Sequence, residues 1–182
     1  MDKLFEGRRK NYMEIGQIYF WTATINKWQK LLEKEVFKKI ILSSLEHLSK
    51  LKKLDVFAFV IMPNHIHTIW RTNELNGKET VQGSFLKYTA HEFKKLLNQD
   101  ELRNYFTAAI NKNYEFWQRD SLAIHLYSPA VAYQKLAYLH HNPCTEHWQL
   151  AVNPEDYLYS SASFYEKNEL RYPFLKDLRL EF

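Results

Sequence analysis

The stretch that decides the fold of this chain is Phe59-Val-Ile-Met-Pro-Asn-His-Ile-His-Thr-Ile-Trp70. Two apolar runs meet at the turn-forming pair Pro63-Asn64, which predicts a β-hairpin. Side chains alternate between the faces of a strand, so we expect His65 and His67 to point the same way. Two imidazoles side by side at the start of a strand can hold one metal ion, although histidines also occur on many half-buried strands that bind nothing.

A second polar pattern lies further along the chain. Gln134, Tyr138 and Asn142 recur every four residues, which on a helix places all three along one face. Pro143 disfavours helical geometry at Asn142, so we expect the helix to end there, with Tyr138 about one turn from its last residue. A tyrosine hydroxyl and an amide oxygen then project from the same helix end.

Together these motifs resemble a known protein family. His65-Ile66-His67, followed by Tyr138-Leu139-His140-His141-Asn142-Pro143 on a helix, is similar to the HUH single-tyrosine transposases of the insertion-sequence-200-like group. The resemblance is closest to the REP-associated tyrosine transposase branch, in which a Tyr-x-x-x-Asn-Pro segment is usual. Two further segments agree with it and extend it over most of the chain: Phe116-Trp117-Gln118-Arg119 and Asp156-Tyr-Leu-Tyr-Ser-Ser161.

The resemblance implies that the protein cleaves and rejoins single-stranded DNA. In this chemistry Tyr138 attacks phosphorus, leaving a 5′-phosphotyrosyl link and a free 3′-hydroxyl, and the partner is a DNA hairpin at the ends of a repeated element. A phenol is a poor nucleophile at neutral pH, since its pKa is about 10, so the site must compensate. A magnesium or manganese ion held by His65 and His67, with Asn142 as a third ligand, would stabilise the charge that develops on the phosphate.

Two positions leave the ligand set open. Many relatives carry glutamine four residues after the tyrosine, and Asn142 is shorter than glutamine by one methylene. His140 and His141 stand beside it, and His141, about 100° from Asn142 on a helix, is the more credible substitute ligand. Gln134 either orients the tyrosine or the phosphate, or is a plain surface amide.

The composition is that of an ordinary globular domain. The chain has 182 residues and a mass of 22.0 kDa, with 46% hydrophobic and 25% charged residues, which predicts one domain over residues 1–182. The family resemblance implies that the core of this domain lies roughly at 15–165. The net charge of +4 permits an anionic partner without demanding one. The 5 Trp, 12 Tyr and 12 Phe suit a protein that stacks unpaired bases.

Positively charged side chains near the predicted site are expected to contact DNA. Arg71 ends the histidine strand, Arg119 precedes the tyrosine helix, and Lys87 lies on an intervening helix; a solvated surface explains the lysine equally well. Trp70 and Trp117 either stack bases or belong to the core. Arg8-Arg9-Lys10 is a basic tail or a phosphate contact.

Cysteine usage and hydropathy indicate the compartment. Cys144 is the only cysteine, so no intramolecular disulfide can form and nothing suggests an oxidising compartment. The first ten residues lack the apolar stretch of a signal peptide, and no apolar run is long enough to cross a bilayer. We therefore expect a cytoplasmic protein with no membrane partner.

The order of the predicted elements defines the fold class. Hydrophobic periodicity predicts strands at Ile18–Ile25, Asp55–Met62 and His65–Arg71, helices at Trp28–Leu51 and from Ser84 onward, strand pieces at Glu115–Gln118 and Leu122–Leu126, a helix capped by Ser128-Pro129, and a surface tail after Pro143. This order predicts an α+β, ferredoxin-like (βαββαβ) antiparallel sheet with helices on one face plus a C-terminal catalytic helix. The tyrosine helix then meets the histidine strand within one subunit or across a homodimer.

Three functions remain in competition. The first is a metal-dependent transposase, or a domesticated relative that acts on repeated hairpins. The second is a replication initiator or relaxase of the wider HUH class, which usually carries an extra domain. The third is a hairpin-DNA-binding module that has lost catalysis.

Overall fold

The computed structural model describes residues 12–108 and 113–182, so the basic Arg8-Arg9-Lys10 segment lies outside the described residues. The regular elements are β1 (Ile18–Thr24), α1 (Glu35–Lys50), β2 (Leu54–Ile61), β3 (His65–Thr72), α2 (Val81–Leu96), α3 (Gln99–Arg103), β4 (Leu122–His125), α4 (Pro129–His141) and α5 (Ala162–Lys167). Short 3-10 helices lie at Asn26–Trp28, Leu31–Glu33, Asn142–Cys144, Pro154–Asp156 and Leu178–Leu180.

The four strands form one antiparallel sheet in the order β2-β3-β1-β4. This is the ferredoxin-like order that the sequence predicts, with β1 and β3 in the centre. The register of β1 against β3 pairs Thr22 with His67 and Thr24 with His65. Residues distant in sequence therefore become direct neighbours on one face of the sheet.

One face of the sheet, which we call the tryptophan face, is packed against α2. Trp21 and Trp70 are fully buried and stack with their ring centres 4.4 Å apart, and Phe85 of α2 meets both rings edge-on. α1 joins this layer through Phe37, which lies perpendicular to Phe93 at 5.5 Å. Burying such large aromatic side chains supplies much of the free energy of folding.

The opposite face, which we call the histidine face, carries His65 and His67 and is covered by α4. Ser128 caps α4 by accepting a hydrogen bond from the Val131 amide at 3.4 Å, and Pro129 occupies the first turn, as the sequence predicts. Asn142 keeps helical backbone angles although a proline follows it, and the chain continues into the 3-10 helix at Asn142–Cys144. The predicted end of the helix is therefore correct to within one residue.

The β2–β3 hairpin has a buried turn. Pro63 and Asn64 are buried because the segment between β1 and α1 lies against them: Ile25 donates to the Asn64 carbonyl at 2.8 Å and Leu32 to the Pro63 carbonyl at 2.9 Å. These bonds satisfy backbone groups that a buried turn would otherwise leave unpaired.

Four boundary predictions were wrong. The first long helix begins at Glu35 and not at Trp28, because Lys27 and Trp28 have positive φ and form a separate 3-10 turn. α2 is capped by Thr80, which accepts from the Gly83 amide, and not by Ser84. The Glu115–Gln118 segment forms only an isolated bridge to Ile25 through Trp117.

The fourth concerns the segment after Pro143, which is not a surface tail. Ser160 and Ser161 are fully buried, and the chain here pairs with the edge strand β2: Ile61 donates to the Tyr159 carbonyl and Ser161 to the Phe59 carbonyl, both at 2.9 Å. The segment thus covers the free edge of the sheet, which would otherwise invite pairing with another chain.

In the part of the chain that the structure describes, no helix combines the length and the apolar character needed to cross a membrane.

Candidate active site

The two histidines lie at the end of the sheet where the hairpin turns, with their rings 4.7 Å apart. Both are buried, being 8% and 6% exposed. His65 Nδ1 lies 2.7 Å from Asn64 Oδ1, and His67 Nδ1 lies 2.7 Å from Thr22 Oγ1. Hydrogen bonds of this kind at Nδ1 fix the orientation of the ring in metal-binding histidines. They leave Nε2 as the atom that can bind the metal.

The Nε2 atom of His67 is buried and has no hydrogen-bond partner among the described residues. The tautomer that donates from Nδ1 to Thr22 leaves Nε2 with a free lone pair. A buried polar atom without a partner costs free energy. Its presence next to a second imidazole fits a site built for a ligand.

Both imidazoles are neutral at physiological pH. Burial lowers the pKa of His65 to about 4. Burial, and then the neighbouring charges of His65 and Lys135, hold the pKa of His67 well below its ordinary value. Metal binding requires the neutral imidazole, so these environments suit metal ligation.

α4 brings Tyr138 and Asn142 to this pair of histidines. The Tyr138 ring lies 5.6 Å from the His67 ring, and the Tyr138 side chain is 53% exposed. Asn142 is buried, with Nδ2 3.5 Å from His65 Nε2. Rotation of the amide by half a turn would exchange Nδ2 for Oδ1, an oxygen donor of the kind that Mg²⁺ and Mn²⁺ accept. An exposed phenol and three potential ligands therefore share one small region.

The neighbouring histidines of α4 differ from Asn142. His140 is buried and its Nε2 lies 2.8 Å from Ser161 Oγ, and burial lowers its pKa to about 4. Its ring is thus engaged with the segment that covers β2. His141 is exposed. Among the described residues, no three His, Cys, Asp or Glu side chains form a metal-binding cluster, so a cation here would need Asn142 or DNA oxygens beside the two imidazoles.

Four side chains of the site were not among the predicted site residues. Thr22 and Asn64 orient the imidazoles. The Phe20 ring stacks on His67 at 5.0 Å, and the Trp148 ring lies 5.8 Å from His65. Asn64 could have been found as the neighbour of His65, whereas Thr22 and Phe20 are revealed only by the register of β1 against β3.

A fifth such residue is Lys135, whose ammonium nitrogen lies 5.3 Å from the centre of the Phe20 ring and 5.6 Å from that of Tyr138. Cation–π contacts of this kind contribute about 0.5–1 kcal/mol at partly exposed positions. The three-residue spacing from Tyr138 on one helix is a sequence signal that could have indicated it.

The residues predicted to contact DNA are dispersed. Arg71 donates to Asp55 and to Glu181 at 2.7 and 2.6 Å, and it lies six residues along β3 from His65, about 20 Å away. Lys87 lies on α2, across the sheet from the histidines, and pairs with Glu79. Arg119 pairs with Glu115, and Gln134 is exposed on α4. Contact of these residues with DNA stays a prediction.

The two tryptophans in question belong to the core. Trp70 is fully buried, and Trp117 is 7% exposed, with Nε1 donating to Thr89 Oγ1 at 3.0 Å. Of the two alternatives that the sequence left open for these residues, base stacking or a core role, the core role is therefore confirmed.

Comparison with known proteins gives a likeness in three dimensions. No family model and no curated protein sequence matches the chain. The structure is similar to that of a REP-associated tyrosine transposase bound to a REP hairpin, with a TM-score of 0.59 and 18% sequence identity over 87% of this chain and 82% of the other. This chain has the same fold. A protein from Deinococcus radiodurans R1, provisionally named a transposase, aligns with a TM-score of 0.43 and 15% identity over 76% of this chain and 97% of the other.

Proposed function

We propose that this protein is a metal-dependent transposase or endonuclease that cleaves and rejoins single-stranded DNA through a 5′-phosphotyrosine at Tyr138. One observation carries the proposal. An exposed tyrosine on a helix adjoins two neutral, oriented imidazoles on a sheet, and one of these has a buried nitrogen without a partner among the described residues. A packed, purely structural aromatic would be expected to be buried, whereas Tyr138 is 53% exposed.

His65, His67 and Asn142 would hold the cation, and two imidazoles with one amide oxygen suit Mn²⁺ somewhat better than Mg²⁺. When bound, a divalent cation polarises the scissile phosphate and stabilises its negative charge. Asn64 and Thr22 keep the imidazoles in the orientation and tautomer that ligation needs. Tyr138 supplies the nucleophile, and its exposure leaves its hydroxyl open to a DNA strand.

The partner in this proposal is a single-stranded DNA hairpin, as at the ends of repeated elements. It is supported by the shared fold with a transposase that binds a REP hairpin, and by a net charge of +4. Strand transfer needs no ATP, because the phosphotyrosine conserves the energy of the phosphodiester until another 3′-hydroxyl attacks it.

Covalent capture tests the proposal. The protein is incubated with a library of short hairpins carrying single-stranded flanks, in Mn²⁺ or Mg²⁺, and adducts are separated under denaturing conditions. We expect an adduct that Tyr138→Phe abolishes while DNA binding is kept, and that EDTA prevents. Tyr133→Phe, an exposed tyrosine on the same helix, is the matched control and should leave the adduct intact.

Two outcomes would contradict the proposal. An adduct that persists in Tyr138→Phe would place the nucleophile elsewhere. Binding of hairpins without an adduct under any metal condition would favour a DNA-binding module that has lost catalysis.

A further inference from the structure

Lys135 lies on α4 one turn before Tyr138, and its ammonium group borders the proposed catalytic region. Its nitrogen lies 5.3 Å from the Phe20 ring centre and 5.6 Å from the Tyr138 ring centre. The Phe20 ring is itself stacked on His67. The ammonium group therefore rests on the same aromatic surface that borders the two histidines.

The charge of Lys135 is not neutralised within the described part of the molecule. No carboxylate in residues 12–108 or 113–182 forms an ion pair with it. Some other lysines are paired with carboxylates, for example Lys87 with Glu79 and Lys95 with Glu92, whereas Lys27 and Lys30 are not paired within these ranges. The ammonium group is therefore available for an anion from outside the chain.

We propose, on the basis of the proposed function, that Lys135 binds a non-bridging oxygen of the phosphate that Tyr138 attacks. In the cleavage step the bond from Tyr138 Oη to phosphorus forms as the bond from phosphorus to the 3′-oxygen breaks. The phenolic proton passes to solvent, and the departing 3′-oxygen takes a proton from solvent. Lys135 takes no part in these proton transfers and balances charge on the phosphate before, during and after the reaction.

The spacing of Lys135 and Tyr138 on the helix explains how one lysine can contact the phosphate before cleavage, during cleavage and in the phosphotyrosine intermediate. Residues three apart on a helix are neighbours, about 5–6 Å apart at Cβ, and the four-carbon stem of lysine lets its ammonium group follow a phosphate. Because Lys135 and Tyr138 share α4, the ammonium group accompanies the tyrosine however α4 packs on the sheet. The phosphotyrosine would thus remain paired with a cation when the 3′-end has left.

A binding measurement tests the phosphate contact without relying on cleavage. The affinity for the oligonucleotide (dT)20 is measured against salt concentration in EDTA, in a Tyr138→Phe background. Loss of one phosphate contact reduces the slope of log K against log salt by about 0.7 for a single strand. We expect this reduction for Lys135→Met and not for Lys135→Arg. Lys39→Met is the control, since Lys39 lies on α1, in the layer that covers the tryptophan face.

A rate measurement tests the catalytic role with a hairpin that forms the adduct. We expect Lys135→Met to slow single-turnover adduct formation by about 10²-fold, as for loss of one transition-state charge partner, and Lys135→Arg to restore most of the rate. Loss of the cation–π contacts of Lys135 should lower the thermal midpoint of Lys135→Met by only about 2–4 °C. The variant then stays folded at the assay temperature, so a slower rate and a reduced salt slope report the lost charge and not unfolding.

The outcomes separate this inference from the proposed function. A full rate and an unchanged salt slope in Lys135→Met would overturn the inference and leave the tyrosine chemistry standing. Absence of any wild-type adduct, together with the reduced slope in Lys135→Met, would uphold the phosphate contact while the proposed chemistry failed. Failure of (dT)20 to bind would count against the phosphate contact.

Discussion

The two faces of the one sheet are built in opposite ways. On the tryptophan face, Trp21, Trp70 and Phe85 fill the space between sheet and helices, and a buried atom without a partner on this face, within the described part of the chain, is the hydroxyl oxygen of Thr68. On the histidine face, Thr22, His65, His67 and Asn142 are largely or wholly removed from water although they are polar, and one of their atoms lacks a partner among the described residues. The contrast teaches that the first face is an aromatic core that supports the fold, whereas the second gathers the polar side chains that the proposed function would use.

The largest effect is expected from breaking the tryptophan face. Phe85→Ala would leave a cavity between α2 and the two stacked indoles and should lower the free energy of unfolding by about 3–5 kcal/mol. Denaturant unfolding measures this. Tyr88→Ala, at an exposed position on the same helix, should change it by less than about 0.5 kcal/mol. Equal losses in both variants would mean that the cost comes from the helix and not from the core.

The second largest effect on stability is expected at a polar cluster on the histidine face, formed by Asp55, Arg71 and Lys176, in which the charged groups are paired with one another. At the far end from the histidines, Asp55 is buried but paired with Arg71 and Lys176. Burial raises the pKa of Asp55, yet hydrogen bonds from Lys176, Arg71 and Asn73 outweigh it and hold the pKa below its usual value of 3.8. Asp55→Asn should lower the free energy of unfolding by about 1–3 kcal/mol at pH 7.

The same residue predicts a dependence on pH. Because the folded pKa of Asp55 is lower than the unfolded one, its contribution is complete above the unfolded value of 3.8 and is lost as pH falls through the folded value. The stability difference between wild type and Asp55→Asn should therefore shrink below about pH 4 in acid titrations followed by denaturant unfolding. A difference that stays constant down to pH 2 would contradict the assignment.

A smaller effect is expected from turning the histidine face into a second core. Thr22→Val combined with His67→Leu removes both partners of one hydrogen bond and the unpaired Nε2 together. Replacing both by apolar groups should leave stability unchanged or raise it by about 1–2 kcal/mol in EDTA, while metal binding is lost. In Mn²⁺ at ten times its Kd the wild type alone should gain about 1.4 kcal/mol. A double variant clearly less stable than wild type in EDTA would show that this polar pair stabilises the fold.

The smallest effect is expected for Tyr138→Phe. The Tyr138 side chain is 53% exposed and packs edge-on against Phe20, contacts that phenylalanine keeps, so the free energy of unfolding should change by less than about 0.5 kcal/mol. If Tyr138→Phe keeps its stability and also loses the DNA adduct, the hydroxyl of Tyr138 is needed for the reaction and not for the fold. A loss above 1 kcal/mol would instead indicate a structural role.

Local patterns were sufficient where local physics decides the structure. Alternation along His65–Thr72 and the Pro63-Asn64 turn identified the hairpin, and Ser128-Pro129 identified the start of α4. The start of α1 could not be predicted in this way. The apolar period runs on from Trp28 to Leu51, whereas the hydrogen bond of Leu32 to the buried hairpin turn holds the chain before Glu35 in short 3-10 turns instead of an α-helix.

The sequence by itself determined the alternating strands, the spacing of Tyr138 from Asn142 and the shared direction of the two histidines, because each depends on the repeat of a single strand or helix. Only the tertiary structure decided that Thr22 orients His67, that Arg71 is held by Asp55 and Glu181, and that Lys135 and Tyr138 lie over Phe20. Those contacts join residues that are far apart along the chain. They follow from the register between strands and from the position of α4 on the sheet. Both depend on how the whole core packs.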